Sequence, residues 1–379
     1  MRKSISRFAT IAFLCFVPIW MLIVKDKTFS DKENRYLAGF PKITWSSIVD
    51  GSFMDDLETY LADQFPLRNS SITLKTNALR AVGQRKINGV YMGDNGYLIA
   101  EEESYDKDSV KKLTQAVNTF SENLSNVNVN VMLVPNAISI YTDKLPSGIK
   151  SGQKDTIDMV YGGLDENINP VDVYSTFRKY RDYQLYYKTD HHWTTKGAKF
   201  AFDEYADVTG LDTENVEYDT YCVSDNFQGT QASNCGVYSS NDIINICVPH
   251  DSEGSYIVNY VYETKKTTTL FDIDKLKEKD KYLVFMGGNY AEVDIDTASQ
   301  SDRNLLVIKD SYANSFIPML TPYYKKIIVV DPRYYYDNIY DLVSSNNINE
   351  VLFLYNVNSY VTDNSLYDML MNLPSDDAE

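Results

Sequence analysis

From about residue 106 onward, the apolar and polar positions alternate between helical and strand periodicity. Residues 110–124 repeat apolar side chains at helical spacing, and residues 127–135 form an apolar, β-branched run typical of a buried strand. Alternating helices and strands form parallel sheets that are covered by helices. The pattern therefore predicts an α/β domain from residues 106–212 and 301–379. After residue 300 it predicts strands at 305–308, 327–330 and 350–355, and helices at 313–320, 333–344 and 364–372.

The segments outside this domain have other patterns. In residues 213–300, Gly, Asn, Ser and Asp separate short strand-like runs, which predicts a β-rich insertion. Residues 28–105 are predicted as a stalk with an N-terminal helical and hairpin segment. The helical part covers residues 52–85. The hairpin covers residues 90–99, because Asp-Asn-Gly at its centre suits a tight turn. The strand-like runs of the insertion are 243–246, 256–258 and 282–285.

A continuous apolar run lies near the N-terminus. Residues 8–24 are uncharged and mostly apolar, and basic residues precede them. The run is at the short limit for a spanning helix, and the basic residues favour a cytoplasmic N-terminus. No small-x-small cleavage pattern follows, so residues 1–27 are predicted as a cytoplasmic stub and signal-anchor helix in the cell membrane. The rest of the chain would then be extracytoplasmic. A cleaved signal peptide and a buried core helix are the alternatives.

Charge and cysteine content narrow the classes of function. The formal net charge is −17 and the acidic residues are spread along the chain, so no nucleic-acid partner is expected. Cys222, Cys235 and Cys247 lack CxxC spacing and permit one disulfide at most. A mixed Cys/His metal site that includes the nearby His250 is an alternative. The sequence carries no nucleotide-binding motif, and it predicts neither a cofactor nor a metal.

Histidine is rare, and two of the 3 histidines follow an acid in the stretch Asp190-His191-His192-Trp193-Thr194. In an extended segment the side chains at i and i+2 lie on one side, so Asp190 is predicted to face His192. A carboxylate beside a histidine holds its tautomer and stabilises the protonated ring, as in a Ser-His-Asp triad. The alternative is structural, with Asp190 as the N-cap of the helix that begins near Thr194.

A candidate nucleophile follows the predicted strand at 305–308. Ser311 stands just beyond the carboxyl end of that strand, where open parallel sheets carry their sites. A helix that starts directly after it would point its first N–H groups at a bound anion. Acyl transfer needs a nucleophile, a base and donors for the oxyanion. Ser311 is the predicted nucleophile, His192 the base, and Asp190 the group that orients the base.

Gly288 and Asn289 are the predicted second donor for the oxyanion. They follow the strand-like residues 282–286, and a glycine N–H allows close approach while an Asn amide donates beside it. A plain turn is the alternative for this pair. Residues 227–230 give a weaker prediction for the lining of the same cleft.

Several motifs together resemble a known family. They are Glu33-Asn34-Arg35, Asp63-Gln64-Phe65-Pro66-Leu67-Arg68, Gly93-Asp94-Asn95-Gly96-Tyr97-Leu98, Val134-Pro135-Asn136, the Tyr187–Gly197 block and Lys309-Asp310-Ser311. With these motifs the chain resembles the DHHW-motif proteins, relatives of the alginate O-acetyltransferases in the SGNH hydrolase-like group. The resemblance implies an SGNH-hydrolase-like sheet flanked by helices and a catalytic Ser311 that follows its Asp190–His192 pair in the chain. Trp193 and Asn356 are further candidate contacts to the substrate or the oxyanion.

This resemblance implies a membrane-anchored, extracytoplasmic O-acyltransferase that acetylates a cell-surface or exopolysaccharide through an acyl-serine intermediate. A multispanning membrane O-acyltransferase would supply the acyl group, since acetyl-CoA is cytoplasmic. A polysaccharide O-acetylesterase is one alternative, because water and a sugar hydroxyl need the same catalytic groups. A non-catalytic glycan-binding or assembly factor is another. Lys309 supports it, because the related motif usually has Gly at that position.

Overall fold

The described residues form two compact units. The computed structural model describes residues 7, 15–16, 19–21, 23–30, 32–250 and 255–373. The smaller unit comprises the residues up to Asn88 together with Ala232–Tyr238, and the larger unit comprises Gly89–Gln231 and the residues from Ser239 onward. This division differs from the predicted segments, since the larger unit includes the predicted hairpin and nearly all of the predicted insertion.

Most of the predicted anchor segment lies outside the described residues. Of its described side chains, Phe16, Ile19 and Ile23 are exposed. Across the part of the chain that the structure describes, no helix has both the length and the apolar character needed to cross a membrane.

Strands and helices are numbered here in chain order. The strands are β1 (Phe29–Ser30), β2 (Arg35–Tyr36), β3 (Lys86–Ile87), β4 (Val90–Met92), β5 (Leu98–Ala100), β6 (Asn128–Val134), β7 (Ile168–Pro170), β8 (Tyr218–Phe227), β9 (Asp242–Pro249), β10 (Tyr256–Tyr260), β11 (Lys265–Thr267), β12 (Glu292–Thr297), β13 (Asn304–Lys309), β14 (Lys326–Val330) and β15 (Glu350–Asn356). The α-helices whose bounds lie within the described residues are α1 (Trp45–Val49), α2 (Ser52–Asp63), α3 (Arg68–Ala81), α4 (Lys107–Glu122), α5 (Ala137–Ile140), α6 (Gln153–Tyr161), α7 (Val173–Lys179), α8 (Thr195–Thr209), α9 (Thr230–Cys235), α10 (Ile339–Ser345), α11 (Val357–Thr362) and α12 (Asn364–Leu370).

A mixed sheet forms the centre of the larger unit, with the strand order β11-β10-β12-β14-β13-β15-β6-β7. Strands β14, β13, β15, β6 and β7 pair in parallel, whereas β12 pairs antiparallel with β14 and β10, and β10 with β11. The prediction of an α/β fold is confirmed, but the prediction of a purely parallel sheet is corrected. Only residues 261–264 connect β10 to β11, and so short a connection permits antiparallel pairing alone.

The strands of the predicted insertion extend this sheet or form a separate ribbon. Strands β10, β11 and β12 lie at its antiparallel edge, while β8 and β9 pair with each other as a two-stranded ribbon. The strand-like runs at 243–246 and 256–258 are found as predicted within β9 and β10. The run at 282–285 is not a strand, since a 3₁₀ helix occupies Lys281–Val284.

Side chains of the central strands alternate between two cores. In β13, Leu305 and Val307 belong to one buried cluster, and Leu306 and Ile308 belong to the other. Helix α8 packs in the first cluster, and α4, α10 and α12 pack in the second. Successive residues of a strand face opposite sides of a sheet, so a strand covered on both faces is apolar throughout. This explains why the central strands read as unbroken apolar runs.

The hairpin at 90–99 is confirmed, with β4 and β5 antiparallel. Asn95 and Gly96 adopt the positive φ angles, 58° and 81°, that the turn requires. The helix predicted at 313–320 is instead two 3₁₀ turns, Ser311–Ser315 and Ile317–Leu320. Pro318 lacks the N–H that an α-helix would need within its second turn.

In the smaller unit, two of the family-like motifs bind each other through ion pairs. Arg35 donates both terminal nitrogens to Asp63, at 2.9 and 2.5 Å. Arg68 donates to both carboxylate oxygens of Glu33, at 2.8 and 2.9 Å. A guanidinium matches a carboxylate in this two-bond geometry. The spacing of these acids and arginines therefore serves the packing of the smaller unit.

Candidate active site

The segment that carries Asp190 and His192 bends directly before helix α8. Nδ1 of His192 lies 2.6 Å from Oδ1 of Asp190, and the backbone N–H of His192 donates to the same oxygen at 3.0 Å. The N-cap of α8 is Thr194, whose side chain accepts from the N–H of Gly197. Asp190 therefore faces His192, as the i and i+2 spacing predicts, and the alternative of Asp190 as a helix cap is wrong.

Asp190 is buried, and its second oxygen is held by Thr230. The backbone N–H of Thr230 donates to Oδ2 at 2.8 Å, and its hydroxyl lies 3.0 Å from the same atom. Burial acts to raise the pKa of Asp190, but His191, His192 and these hydrogen bonds hold that pKa well below its usual range. An ionised carboxylate can only accept, so Nδ1 of His192 carries a proton and Nε2 is left as an acceptor.

Ser311 completes this arrangement from a distant part of the chain. It is the first residue of the 3₁₀ turn that follows β13, and its Oγ lies 2.8 Å from Nε2 of His192. Asp190 and His192 are buried, whereas Ser311 is partly exposed. Ser311 therefore borders solvent, while the Asp190–His192 pair behind it is buried.

Two aromatic side chains fix the histidine relative to the serine turn. The ring of Tyr282 stacks on the imidazole of His192, with centroids 3.6 Å apart and 8° between the planes. The hydroxyl of Tyr282 donates to the carbonyl oxygen of Ser311 at 3.2 Å. The buried indole N–H of Trp193 donates to the carbonyl oxygen of Tyr312 at 3.0 Å. Both contacts join the Asp190–Trp193 segment to the turn that carries the nucleophile.

Polar residues at the carboxyl ends of three adjacent parallel strands support the turn from below. Asp310, after β13, accepts from the N–H of Tyr312 at 2.8 Å and from the side-chain amide of Asn356 at 2.6 Å. Asn356, the last residue of β15, accepts in turn from the side chain of Asn136, which follows β6, at 3.0 Å. Because parallel strands end at one edge, these residues form one connected network there.

The sequence model described as DHHW protein matches residues 73–330 of the chain. This chain belongs to the DHHW family. No protein of curated function is similar enough to be matched.

Solved structures share the fold of this DHHW protein. A DHHW family protein from Eubacterium siraeum DSM 15702 is 25% identical with a TM-score of 0.64, and the match covers 76% of this chain and 97% of that one. Bacillus cereus PatB1 with a sulfonyl adduct is 20% identical with a TM-score of 0.63, over 74% of this chain and 98% of that one. A further structure of PatB1 is 19% identical with a TM-score of 0.61, over 72% and 97%.

The two histidines of the DHHW segment have different surroundings. Nδ1 of His191 lies 2.7 Å from the hydroxyl of Thr230, and 35% of the His191 side chain is exposed. Its carbonyl oxygen accepts from the hydroxyl of Tyr312. His191 therefore borders the entrance of the site, while His192 lies between Asp190 and the serine.

The predicted oxyanion residues Gly288 and Asn289 lie beside Lys309. Nζ of the buried Lys309 donates to the side-chain oxygens of Asn289 and Asn314 at 2.7 and 2.8 Å, and it lies 3.5 Å from Asp331. Burial lowers the pKa of Lys309 to about 8 although Asp331 opposes the shift. The position that usually holds Gly in the related motif thus carries an internal cation with three polar partners.

Asn356 and Trp193, the other predicted oxyanion or substrate contacts, already have protein partners. The side-chain amide of Asn356 donates to Asp310 and, at 2.8 Å, to Ser359. The indole N–H of Trp193 is shared between Tyr312 and Ser315. Both side chains therefore stabilise the segments that form the site.

Potential metal ligands gather at one place in the part of the chain that the structure describes. Asp190, His191 and His192 have ligand atoms within 4.8 Å of one another. The Asp190–His192 hydrogen bond occupies two of these atoms, so an ion would have to displace it. The predicted alternatives based on cysteine are not found among the described residues, since all four thiols are free and His250 pairs with Asp219 at 2.8 Å.

Several residues that build the site were not predicted from the sequence. Tyr282 gives no sequence signal beyond an apolar run, and the cap role of Asp310 requires knowing that a 3₁₀ turn follows. Asn136 follows Pro135 at the end of an apolar strand, a position that could have indicated a site residue. Thr230 lies in the weakly predicted lining at 227–230.

Proposed function

We propose that this DHHW protein is a polysaccharide O-acyltransferase that works through an acyl-serine intermediate on Ser311. The observation that carries the proposal is the hydrogen bond of 2.8 Å between Oγ of Ser311 and Nε2 of His192, with Asp190 on the far side of the ring. This arrangement couples a nucleophile to a base whose tautomer is held by a carboxylate. The acyl group we propose is acetyl.

In the first half-reaction, Ser311 passes its proton to Nε2 of His192 while Oγ attacks the carbonyl carbon of the acyl donor. Collapse of the tetrahedral intermediate expels the leaving group, which takes the proton from His192. The positive charge on the ring exists only between these transfers, and the Asp190 carboxylate stabilises it. Asp190 accepts the Nδ1–H bond throughout and stays ionised.

In the second half-reaction, a sugar hydroxyl gives its proton to Nε2 and attacks the acyl-serine. The new ester leaves, and His192 returns the proton to Oγ of Ser311. The backbone N–H of Ser311 is free to stabilise both oxyanions, since none of the described residues accepts from it. Gly288 and Asn289 are the proposed source of a second donor.

The location and the acyl donor are further parts of the proposal. The apolar run at 8–24 with its preceding basic residues supports a signal anchor that holds the larger unit outside the membrane. A multispanning membrane O-acyltransferase would then deliver the acyl group across the bilayer, and a cell-surface or exopolysaccharide would accept it.

Mass spectrometry of the purified protein after incubation with p-nitrophenyl acetate tests the central step. We expect one acetyl group on Ser311, and a sulfonyl fluoride should block the same residue. Ser311→Ala should carry neither adduct, while Ser299→Ala, a change at a serine outside the site, should behave as the wild type. A folded wild-type protein that never forms the adduct would overturn the proposal.

The fate of the acyl group separates transfer from hydrolysis. Rapid release of free acetate, unchanged by added polysaccharide, would identify an acetylesterase instead. If the protein is a non-catalytic factor, cells that express only Ser311→Ala should still acetylate their polysaccharide. The proposed acyltransferase predicts that this acetylation is lost.

A further inference from the structure

A cleft with a volume of about 530 Å³ lies in the larger unit, next to the end of strand β14. The residues after β14 form one wall, and the last helix, α12, with the residues that follow it forms the other. The charged and aromatic side chains discussed below, Arg333, Tyr336, Asp337 and Asp368, line this cleft.

The cleft presents an aromatic ring that has no partner of its own. Tyr336 is 85% exposed, and its ring packs against no other ring among the described residues, although its hydroxyl reaches the carbonyl oxygen of Arg333 at 3.5 Å. Two further tyrosines near the cleft are about half exposed. Tyr334 is close to Tyr336 in the chain, and the hydroxyl of Tyr262 donates to Asp337. A tyrosine offers a flat apolar face with a polar tip, and this residue type is enriched at binding interfaces.

The charge of the cleft is negative. Arg333 donates two hydrogen bonds to Asp331, at 2.8 and 2.5 Å, so its positive charge is compensated inside the protein. Asp368 is exposed and has no hydrogen bond or ion pair with any described residue. Asp337 adds a second carboxylate. Burial, then Asp294 and Asp337, raise the pKa of the neighbouring Glu292 to about 7. A polyanion would be repelled here.

A short chain of contacts connects the cleft with the nucleophile. Asp331, which holds Arg333, lies 3.5 Å from Nζ of Lys309, and Lys309 precedes Ser311 by two residues in the chain. Strands β13 and β14 are parallel and adjacent, with Ile308 paired to Val330. Their carboxyl ends therefore bring the cleft and the serine turn to the same edge of the sheet.

We propose that this cleft binds a segment of the acceptor polysaccharide, and that the acceptor is an uncharged or amine-bearing sugar polymer without carboxylates. The face of a sugar ring would stack on Tyr336, and its hydroxyl or amino groups would donate to Asp368 and Asp337. The inference rests on the proposed acyl transfer for its biological meaning, but binding to the cleft can be measured without it.

Binding is measured by calorimetry with the whole chain carrying Ser311→Ala, which cannot turn over. The probes are a β-1,4-linked N-acetylglucosamine hexasaccharide, the same hexasaccharide without its acetyl groups, and a mannuronate hexasaccharide. We expect the first two to bind and the amine-bearing probe to bind more tightly at low salt, with no binding of the mannuronate. Equal binding of the mannuronate, or no binding of either expected probe, would overturn the proposal.

Two variants locate the binding. Tyr336→Ala should weaken binding of both expected probes by about tenfold through loss of the ring face. Asp368→Asn should weaken mainly the amine-bearing probe, by about threefold to tenfold. Tyr221→Ala removes another half-exposed tyrosine, on β8, and serves as the matched control. Unchanged affinities in Tyr336→Ala would show that the sugars bind elsewhere.

The acylation step distinguishes failure of this inference from failure of the proposed function. Tyr336→Ala should acquire the acetyl group on Ser311 at the wild-type rate but transfer it with a raised KM for the acceptor. If wild-type Ser311 is never acylated, the proposed function fails, whereas the affinities above still decide whether the cleft is a sugar site.

Discussion

The missing side chain of Gly229 makes the space that the carboxylate of Asp190 occupies. A Cβ atom placed on Gly229 would lie 2.6 Å from Cγ of Asp190 and nearer still to its Cβ and Oδ2. No rotamer change at position 229 can relieve such a contact, because a Cβ is fixed by the backbone. The glycine therefore determines where the acid of the site can sit.

Gly229→Ala should displace Asp190 and lengthen its bond to Nδ1 of His192. We expect the rate of Ser311 acetylation by p-nitrophenyl acetate to fall by a factor on the order of 10², since a shift of about 1 Å in a catalytic group can cost this much. Gly39→Ala is the matched control, because its added Cβ would meet nothing within 4 Å. A wild-type rate in Gly229→Ala would mean that the position of Asp190 is unimportant.

Asp190→Asn should keep the fold but lose the carboxylate that holds the tautomer and stabilises the protonated ring. We expect the plateau rate of acetylation to fall by a factor on the order of 10³ to 10⁴. The measurement is the rate against pH for the variant and for the exposed control Asp302→Asn. An unchanged plateau would show that the pairing of Asp190 with His192 has no part in the reaction.

Tyr282→Phe and Tyr282→Leu separate the two contacts of this tyrosine. Phe keeps the stacked ring on His192 and loses only the hydroxyl bonds, so its acetylation rate should stay within about fivefold of wild type. Leu loses the flat surface that orients the imidazole, and its rate should fall by about 10². Equal rates for both variants would contradict an orienting role of the ring.

Glu292 should make stability depend on pH. Burial, Asp294 and Asp337 raise its pKa to about 7 in the folded chain, from 4.5. The folded state then binds more protons than the unfolded state between these values, so stability falls as pH rises through this range, by on the order of 2 kcal/mol. Urea unfolding at pH 5 and pH 8 should show this loss in wild type and in the control Glu263→Gln, but a smaller loss in Glu292→Gln.

Lys309→Met tests whether the internal cation is structural. The change would remove the Lys309 donor to the side-chain oxygen of Asn314 and one of the two donors to that of Asn289, and we expect a loss of about 2 to 4 kcal/mol in the free energy of unfolding. Urea unfolding measures it. Lys277→Met, at a side chain that is 81% exposed, should change stability by less than about 0.5 kcal/mol. A similar small change at Lys309 would refute its role in holding this region.

The sequence predicts those parts of the fold and site that depend on local pattern. Strands β13 and β15 can be predicted from the sequence because a strand that is buried on both faces consists of an unbroken run of apolar residues. The pairing of Asp190 with His192 is readable because the two residues are only two positions apart. The placement of Ser311 beside them required the strand-end rule together with the family resemblance, since 119 residues separate it from His192.

Other features depend on contacts that no local pattern specifies. Tyr282 lies in a run with the composition of a strand, but Met286, Gly287 and Gly288 all have positive φ angles and turn the chain away from a sheet. The antiparallel edge of the sheet arises because β12 pairs with β14. These strands are too far apart in the chain for a local sequence pattern to predict that they pair. The hydrogen bonds from Thr230 to Asp190 likewise join the start of α9 to a loop that is distant in the chain.

The strand order also determines when the central sheet can be completed during synthesis. Strand β15 lies between β13 and β6 in the sheet, is buried along its whole length, and is the last of the described strands to leave the ribosome. Until it arrives, the preceding chain holds two apolar half-sheets with unpaired edges, and Asp310 lacks its partner Asn356. The unfinished chain must therefore be kept from aggregating until β15 has been synthesised and can join the two half-sheets.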